Sequence, residues 1–68
     1  MKKSVRYAPT IHEDRTIAKW EMWECETEEE FWKIYDSLSS SLLTANIDTL
    51  TITVREYISV EQYRKEVE

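Results

Sequence analysis

The chain contains no glycine, although ordinary usage of about 7% would put roughly five in its 68 residues. Every turn must therefore be built without the residue that enters positive φ at no steric cost. Asn46 and the aspartates are left as the natural candidates for such positions. Tight Gly-rich hairpins are excluded, and so are phosphate-cradling loops of the P-loop or dinucleotide type, whose backbone must approach the ligand closely. No cofactor is expected. Cysteine is nearly absent too: Cys25 is alone and has no internal disulfide partner, which fits a reducing compartment. No apolar run approaches the length of about twenty needed to span a bilayer, and the Lys2-Lys3 start is not followed by an apolar signal-peptide segment. The expectation is a cytoplasmic protein with no membrane partner.

Bases are the last shortage. Nine Lys and Arg stand against fourteen Asp and Glu, for a net charge of −5. Neutralising phosphates supplies most of the affinity of a nucleic-acid binder, and these bases are outnumbered and scattered. Lys2, Lys3 and Arg6 form the one small basic group, which reads as ordinary solvation of a first strand. Direct nucleic-acid binding is therefore not expected.

What is present bounds the chain to a single domain, residues 1–68. A domain of this size buries only about 60% of its unfolded surface, and three Trp, four Tyr and one Phe offset that by the large area each can bury. The composition is that of a globular chain.

Alternation predicts a first strand over residues 3–7, with Val5 and Tyr7 on one side, ended by Pro9. Residues 8–14 form a wide polar loop. A second strand over residues 16–25 sends Ala18, Trp20 and Met22 to the expected core face, with Lys19 and Glu21 opposite; at Met22-Trp23 two large apolar neighbours must point opposite ways unless a bulge intervenes. Thr27 and Glu30 form a capping box, with Glu28 and Glu29 in the first helical turn where the dipole favours acids. Phe31, Ile34, Tyr35, Leu38, Leu42 and Ala45 then recur at helical spacing, so one long helix is expected to run to a left-handed stop at Asn46.

A third strand over residues 49–57 alternates Leu50, Ile52 and Val54 against Thr49, Thr51, Thr53 and Arg55. Ser59 and Gln62 form a second capping box, opening a short helix with Val60, Tyr63 and Val67 as its stripe. The expected fold is α+β, a ββαβα domain whose three-stranded antiparallel sheet, order 2-1-3, packs one face on the long helix. The C-terminal helix is expected to cover part of the other face.

Catalytic constellations are thin. His12, Glu13 and Asp14 are adjacent loop residues without a zinc-like spacing, and they read as a solvated turn. Cys25 stands between Glu24 and Glu26, which oppose thiolate formation, so a Cys25-His12 dyad is disfavoured. Neither an enzyme nor a metal site is expected.

The densest signal is the acidic window. Glu21, Glu24, Glu26, Glu28, Glu29, Glu30 and Asp36 face a single base, Lys33, so residues 20–36 carry −6 while the rest of the chain is about +1. Three glutamates at a helix start serve the helix by themselves. Beyond that role stand Glu24 and Glu26, two apart on a strand, and Trp23 and Trp32, both off the core stripes. Exposed Trp beside acids is the composition of a binding hot spot with a charged rim, and an acidic ridge is drawn to basic grooves. The opposite reading places both tryptophans in a second small core.

Within that window, TEEEFWKIYDSL resembles the first dorsal helix of the cap-binding translation initiation factors, whose EEFW..Y stretch follows a strand and whose tryptophan contacts partner proteins. The likeness covers about twelve residues and brings no residue role with it. The small acidic ββαβ layout is also similar to that of phage-encoded host-takeover proteins, including inhibitors of bacterial RNA polymerase and anti-CRISPR proteins. The acidic ridge and its tryptophans, with the second likeness beside them, lead to the expectation of a small inhibitor, a nucleic-acid mimic of viral or mobile-element type. It would bind a larger protein's basic surface through Trp23, Glu24, Glu26, Glu28, Glu29, Glu30 and Trp32. The alternative expectation is a homodimer formed through the sheet, by its open face or an edge strand rich in Thr49, Thr51 and Thr53.

Overall fold

The structure is a computed structural model that describes residues 1–39 and 42–68. It is an α+β fold with elements β1 (Lys2–Tyr7), β2 (Thr16–Glu24), α1 (Glu28–Ser37), β3 (Leu43–Asn46), β4 (Thr51–Ser59) and α2 (Val60–Val67). The four strands form one sheet in the order β1-β2-β4-β3, every neighbouring pair antiparallel. Among the described residues no helix is long and apolar enough to cross a membrane.

The expected three-stranded sheet of order 2-1-3 is thus corrected, and one local event explains the change. The apolar spacing after Phe31 suggested a single helix to Asn46, but α1 stops at Ser37 and Leu38 takes an extended cap conformation, ψ 138°. Serine competes with helix by bonding nearby backbone, and four serines occupy positions 37–41. Ser37 Oγ indeed donates to Ile34 O at 2.7 Å. The part of the long-helix reading that covers Ser40 and Ser41 lies outside the described residues. Beyond them, residues 43–46 form β3. This strand turns back the chain, so β4 enters beside β2 and antiparallel to it rather than beside β1.

Leu42 and Ala45 consequently belong to no helical stripe. Leu42 O accepts from Arg55 N at 3.1 Å, and Ala45 faces Ile52 across the ladder. The β3-β4 turn is an Asx turn in which Asn46 Oδ1 accepts from Asp48 N at 2.9 Å. Positive φ falls on Arg15 (63°) and Leu50 (55°) rather than on Asn or Asp. Both strained residues hold a junction: Arg15 O accepts from Val60 N at the start of α2, and Leu50 O accepts from Cys25 N at the end of β2.

Both capping serine/threonine residues act as expected. Thr27 Oγ1 accepts from Glu30 N at 3.1 Å and Ser59 Oγ from Gln62 N at 3.0 Å. The β2 ladder runs without interruption past Met22 and Trp23, which therefore point to opposite faces.

Register fixes which face is which. Residues directly opposite share a face, so Lys3, Trp23, Ile52 and Ala45 form one row, Val5, Glu21, Val54 and Leu43 the next, then Tyr7, Lys19 and Glu56, and finally Ile17 and Ile58. This is the face that carries the helices. Phe31 and Ile52 are its fully buried centre, joined by Ile17, Val54 and Val60. The face expected to be core in β2 (Ala18, Trp20, Met22) is the opposite one, and of these only Ala18 is buried.

Both helices lie on the same side, which corrects the placing of α2 over the other face. Glu66 of α2 accepts from Tyr7 Oη at 2.6 Å and from Lys19 Nζ at 2.7 Å, and the Tyr7 and Tyr63 rings meet edge to face at 4.9 Å. Of the expected α2 stripe, Val60 is buried, Tyr63 half-buried and Val67 exposed. Among the described residues no helix lies over the second sheet face.

Candidate functional site

The first turn of α1 holds Glu28, Glu29 and Glu30 at the end of the dipole that favours acids, while Asp36 stands in a last turn that has no base. Phe31 is the residue that this helix commits to the core. Trp32, next along, must then point about 100° away around the helix. Residues three and four apart share a helix face, which aligns Glu28, Trp32, Tyr35 and Asp36 on the outward side. Trp32 is 46% exposed and Tyr35 39%.

These exposed rings are ordered rather than loose. Trp32 meets Phe31 edge to face at 5.0 Å and Tyr35 at 5.5 Å. Together with Ala45 and the exposed Ile47 the three rings line a depression of about 270 Å³. The result is an aromatic patch anchored to the core through Phe31 and bordered along the helix by carboxylates.

The other sequence-predicted residues do not join it as one continuous ridge. Trp23 lies on the helix-bearing face, half-buried, with the Lys3 ammonium 5.2 Å from its ring. Glu24 closes β2 on the opposite face, 4.0 Å from Lys2 Nζ. Glu26 falls beyond the strand and, with Glu30, approaches the N-terminal ammonium at 3.7 and 3.6 Å. Glu28, Glu29 and Trp32 stay together on α1, whereas Trp23 and Glu24 are separated by the sheet itself.

Tyr35 and Ile47 are the additions. Its spacing from Phe31 predicts a buried stripe for Tyr35, whereas the 28-32-35 spacing is the signal that it belongs with Trp32. Ile47 carried no signal, because it reaches the patch only through the β3-β4 turn.

The charged groups between β1, β2 and α2 tie elements together. The bonds from Lys19, Tyr7 and Gln62 hold the Glu66 carboxyl at about 2, well below the usual carboxylate range. The same contact raises Lys19 and Tyr7. Burial pushes the Cys25 thiol up, with the Glu30 charge adding to it, which disfavours the thiolate. His12 stands edge-on to the Tyr57 ring at 5.4 Å. Compared with protein-family models, curated proteins and solved structures, the chain matches none.

Proposed function

We propose that this chain is a non-enzymatic binding protein. In this reading it is a small inhibitor of the phage or mobile-element type that docks α1 onto a basic, nucleic-acid-binding surface of a larger host protein. The observation that carries the reading is the exposure of Trp32 and Tyr35 on one stripe with Glu28 and Asp36, while Phe31 behind them fills the core. Interface hot spots are rich in Trp and Tyr set in pockets and surrounded by groups that exclude water. The carboxylates would steer encounter with a basic surface and suppress other partners.

Glu28, Glu29 and Trp32 remain as the binding residues, with Tyr35 beside them. Glu26 and Glu30 have a nearer positive group in the chain's own amino terminus. The edge-strand form of the homodimer reading is weaker: the threonine-rich strand is β4, which lies between β2 and β3 and offers no free edge, and Thr49 stands in the turn, while Thr51 and Thr53 lie on the helix-free face.

Affinity capture from a host lysate at low and high salt would supply the partner, and purified partner then tests the surface. Trp32→Ala is expected to raise the dissociation rate, and charge reversal of Glu28 and Glu29 to slow association in a salt-dependent way. Undiminished binding by both variants would overturn the reading.

A further inference from the structure

The helix-free face of the sheet has a chemistry of its own. Register places Arg6, Trp20 and Arg55 in one row across β1, β2 and β4, with Ser4, Met22, Thr53 and Thr44 in the row beside it. Ala18 and Tyr57 form the row on the other side. The Arg6 guanidinium lies 5.0 Å from the Trp20 ring and the Arg55 guanidinium 5.7 Å from the Tyr57 ring. Ser4, Arg6, Trp20, Met22 and Thr53 line a depression of about 250 Å³, and Tyr57 is 48% exposed. Arg6 thus packs on the Trp20 indole, while Arg55, opposite Trp20 in the register, packs on Tyr57, which His12 also meets at 5.4 Å.

Charge is segregated as well. Among strand residues directed to this face are the cations Lys2, Arg6 and Arg55, and Glu24 is the one carboxylate, paired with Lys2. In a chain of net charge −5, the strand residues of this face therefore sum to about +2. The acids of α1 lie behind the sheet. A helix is about 10 Å across and the screening length at physiological salt is about 8 Å, so those acids weaken the field of this face only modestly.

We propose that this face is a platform for single-stranded nucleic acid. Such sites combine cations that follow the backbone with aromatic rings on which bases stack, and arginine planes stack on bases too. Trp20 and Tyr57 are diagonal neighbours on adjacent strands, about 7–8 Å apart, which lets successive splayed bases each take one ring. Arg6 and Arg55 then meet phosphates, and Ser4 and Thr53 offer hydroxyl donors. An acidic peptide would satisfy the guanidiniums but has no aromatic plane for the two rings, so nucleic acid is the better fit.

The test is an NMR titration of the full chain with U8 RNA, dT8 DNA and octaglutamate. The expected result is amide shifts confined to β1, β2 and β4 residues of this face with either oligonucleotide, and weaker, unlocalised shifts with the peptide. The RNA and DNA arms show whether a 2′-hydroxyl matters. Trp20→Ala should weaken binding roughly tenfold. The Arg6→Gln, Arg55→Gln double variant alters no buried side chain and should remove most of the salt dependence, a log-log slope of about −1.4 for two phosphates. Absence of shifts with both oligonucleotides, equal or stronger localised shifts with octaglutamate, or a double variant that binds as the parent does would each overturn the proposal.

Discussion

In the middle of β2 the two faces of the sheet invert the usual assignment of polar and apolar residues. On the helix-bearing face β2 contributes Lys19 and Glu21, and on the open face it contributes Trp20 and Met22. The charged pair is accommodated because each member finds an opposite charge on a neighbouring element: Lys19 meets Glu66 at 2.7 Å and Glu21 meets Lys3 at 2.9 Å. The apolar pair is left without a covering element, its rings and thioether bordered by arginines. Charge in a strand is thus compatible with the core side when partners are built there. Large apolar residues on the outer side are then free to serve a surface.

The sharpest way to break this comparison is to remove one aromatic from each face. Phe31 is 1% exposed and sits at the centre of the core. Phe31→Ala is expected to cost about 3–5 kcal/mol, most of the stability of a domain this small. Trp20→Ala, at a half-buried ring on the uncovered face, is expected to cost about 1–2 kcal/mol, well below the loss at Phe31. Urea unfolding of both variants checks this. Equal losses would mean that the open face is a second core and that the difference between the faces is illusory.

A smaller effect tests the charges of the helix-bearing face. The Glu66 carboxyl is held at about 2, against an ordinary value of 4.5. A depressed folded value means that the unfolded chain binds the proton more readily, so this group's stabilisation is complete above about pH 4.5 and is lost as pH falls toward about 2. Lys19 is raised from 10.5, so its share is complete below that value and is lost only as alkaline pH passes through the raised one. Stability should therefore fall through the acid range in the parent, and Glu66→Gln should flatten that part of the profile. Thermal unfolding between pH 2 and 6 measures it, and parallel profiles would remove Glu66 from the account.

These charges also show where the sequence was legible. Local signals were sound: both capping residues accept the expected amide, and Ile52 and Val54 lie inward as their alternation implied. What local patterns did not reveal was the partner of each polar residue. Glu66 lies 47 positions from Lys19, so nothing in β2 itself marked Lys19 as inward, and its apolar neighbours took the core assignment by default. The same gap hid β3, where leucines at helical spacing outweighed Ser37, the residue at which the helix ends. On the candidate surface Trp32 could be read from its spacing, whereas the Arg6-Trp20-Arg55 row exists only once three strands are in register.

The least disruptive comparison is between the two helices that share the covered face. Their caps are alike, with amide-to-hydroxyl distances of 3.1 Å at Thr27 and 3.0 Å at Ser59, and removing such a hydroxyl costs about 1 kcal/mol. Their commitments to the core differ. α1 contributes Phe31, while α2, eight residues long, contributes only Val60 from its first turn. Loss of the Thr27 cap should therefore lower the global stability, because α1 cannot open without exposing Phe31. Loss of the Ser59 cap should instead appear as faster amide exchange confined to α2, whose later turns can open while the core stays closed. Hydrogen exchange on Thr27→Ala and Ser59→Ala separates the two outcomes. If Ser59→Ala accelerated exchange throughout β2 and β4, α2 would belong to the same cooperative unit as the sheet, and the Glu66 contacts to Tyr7 and Lys19 would be what binds it there.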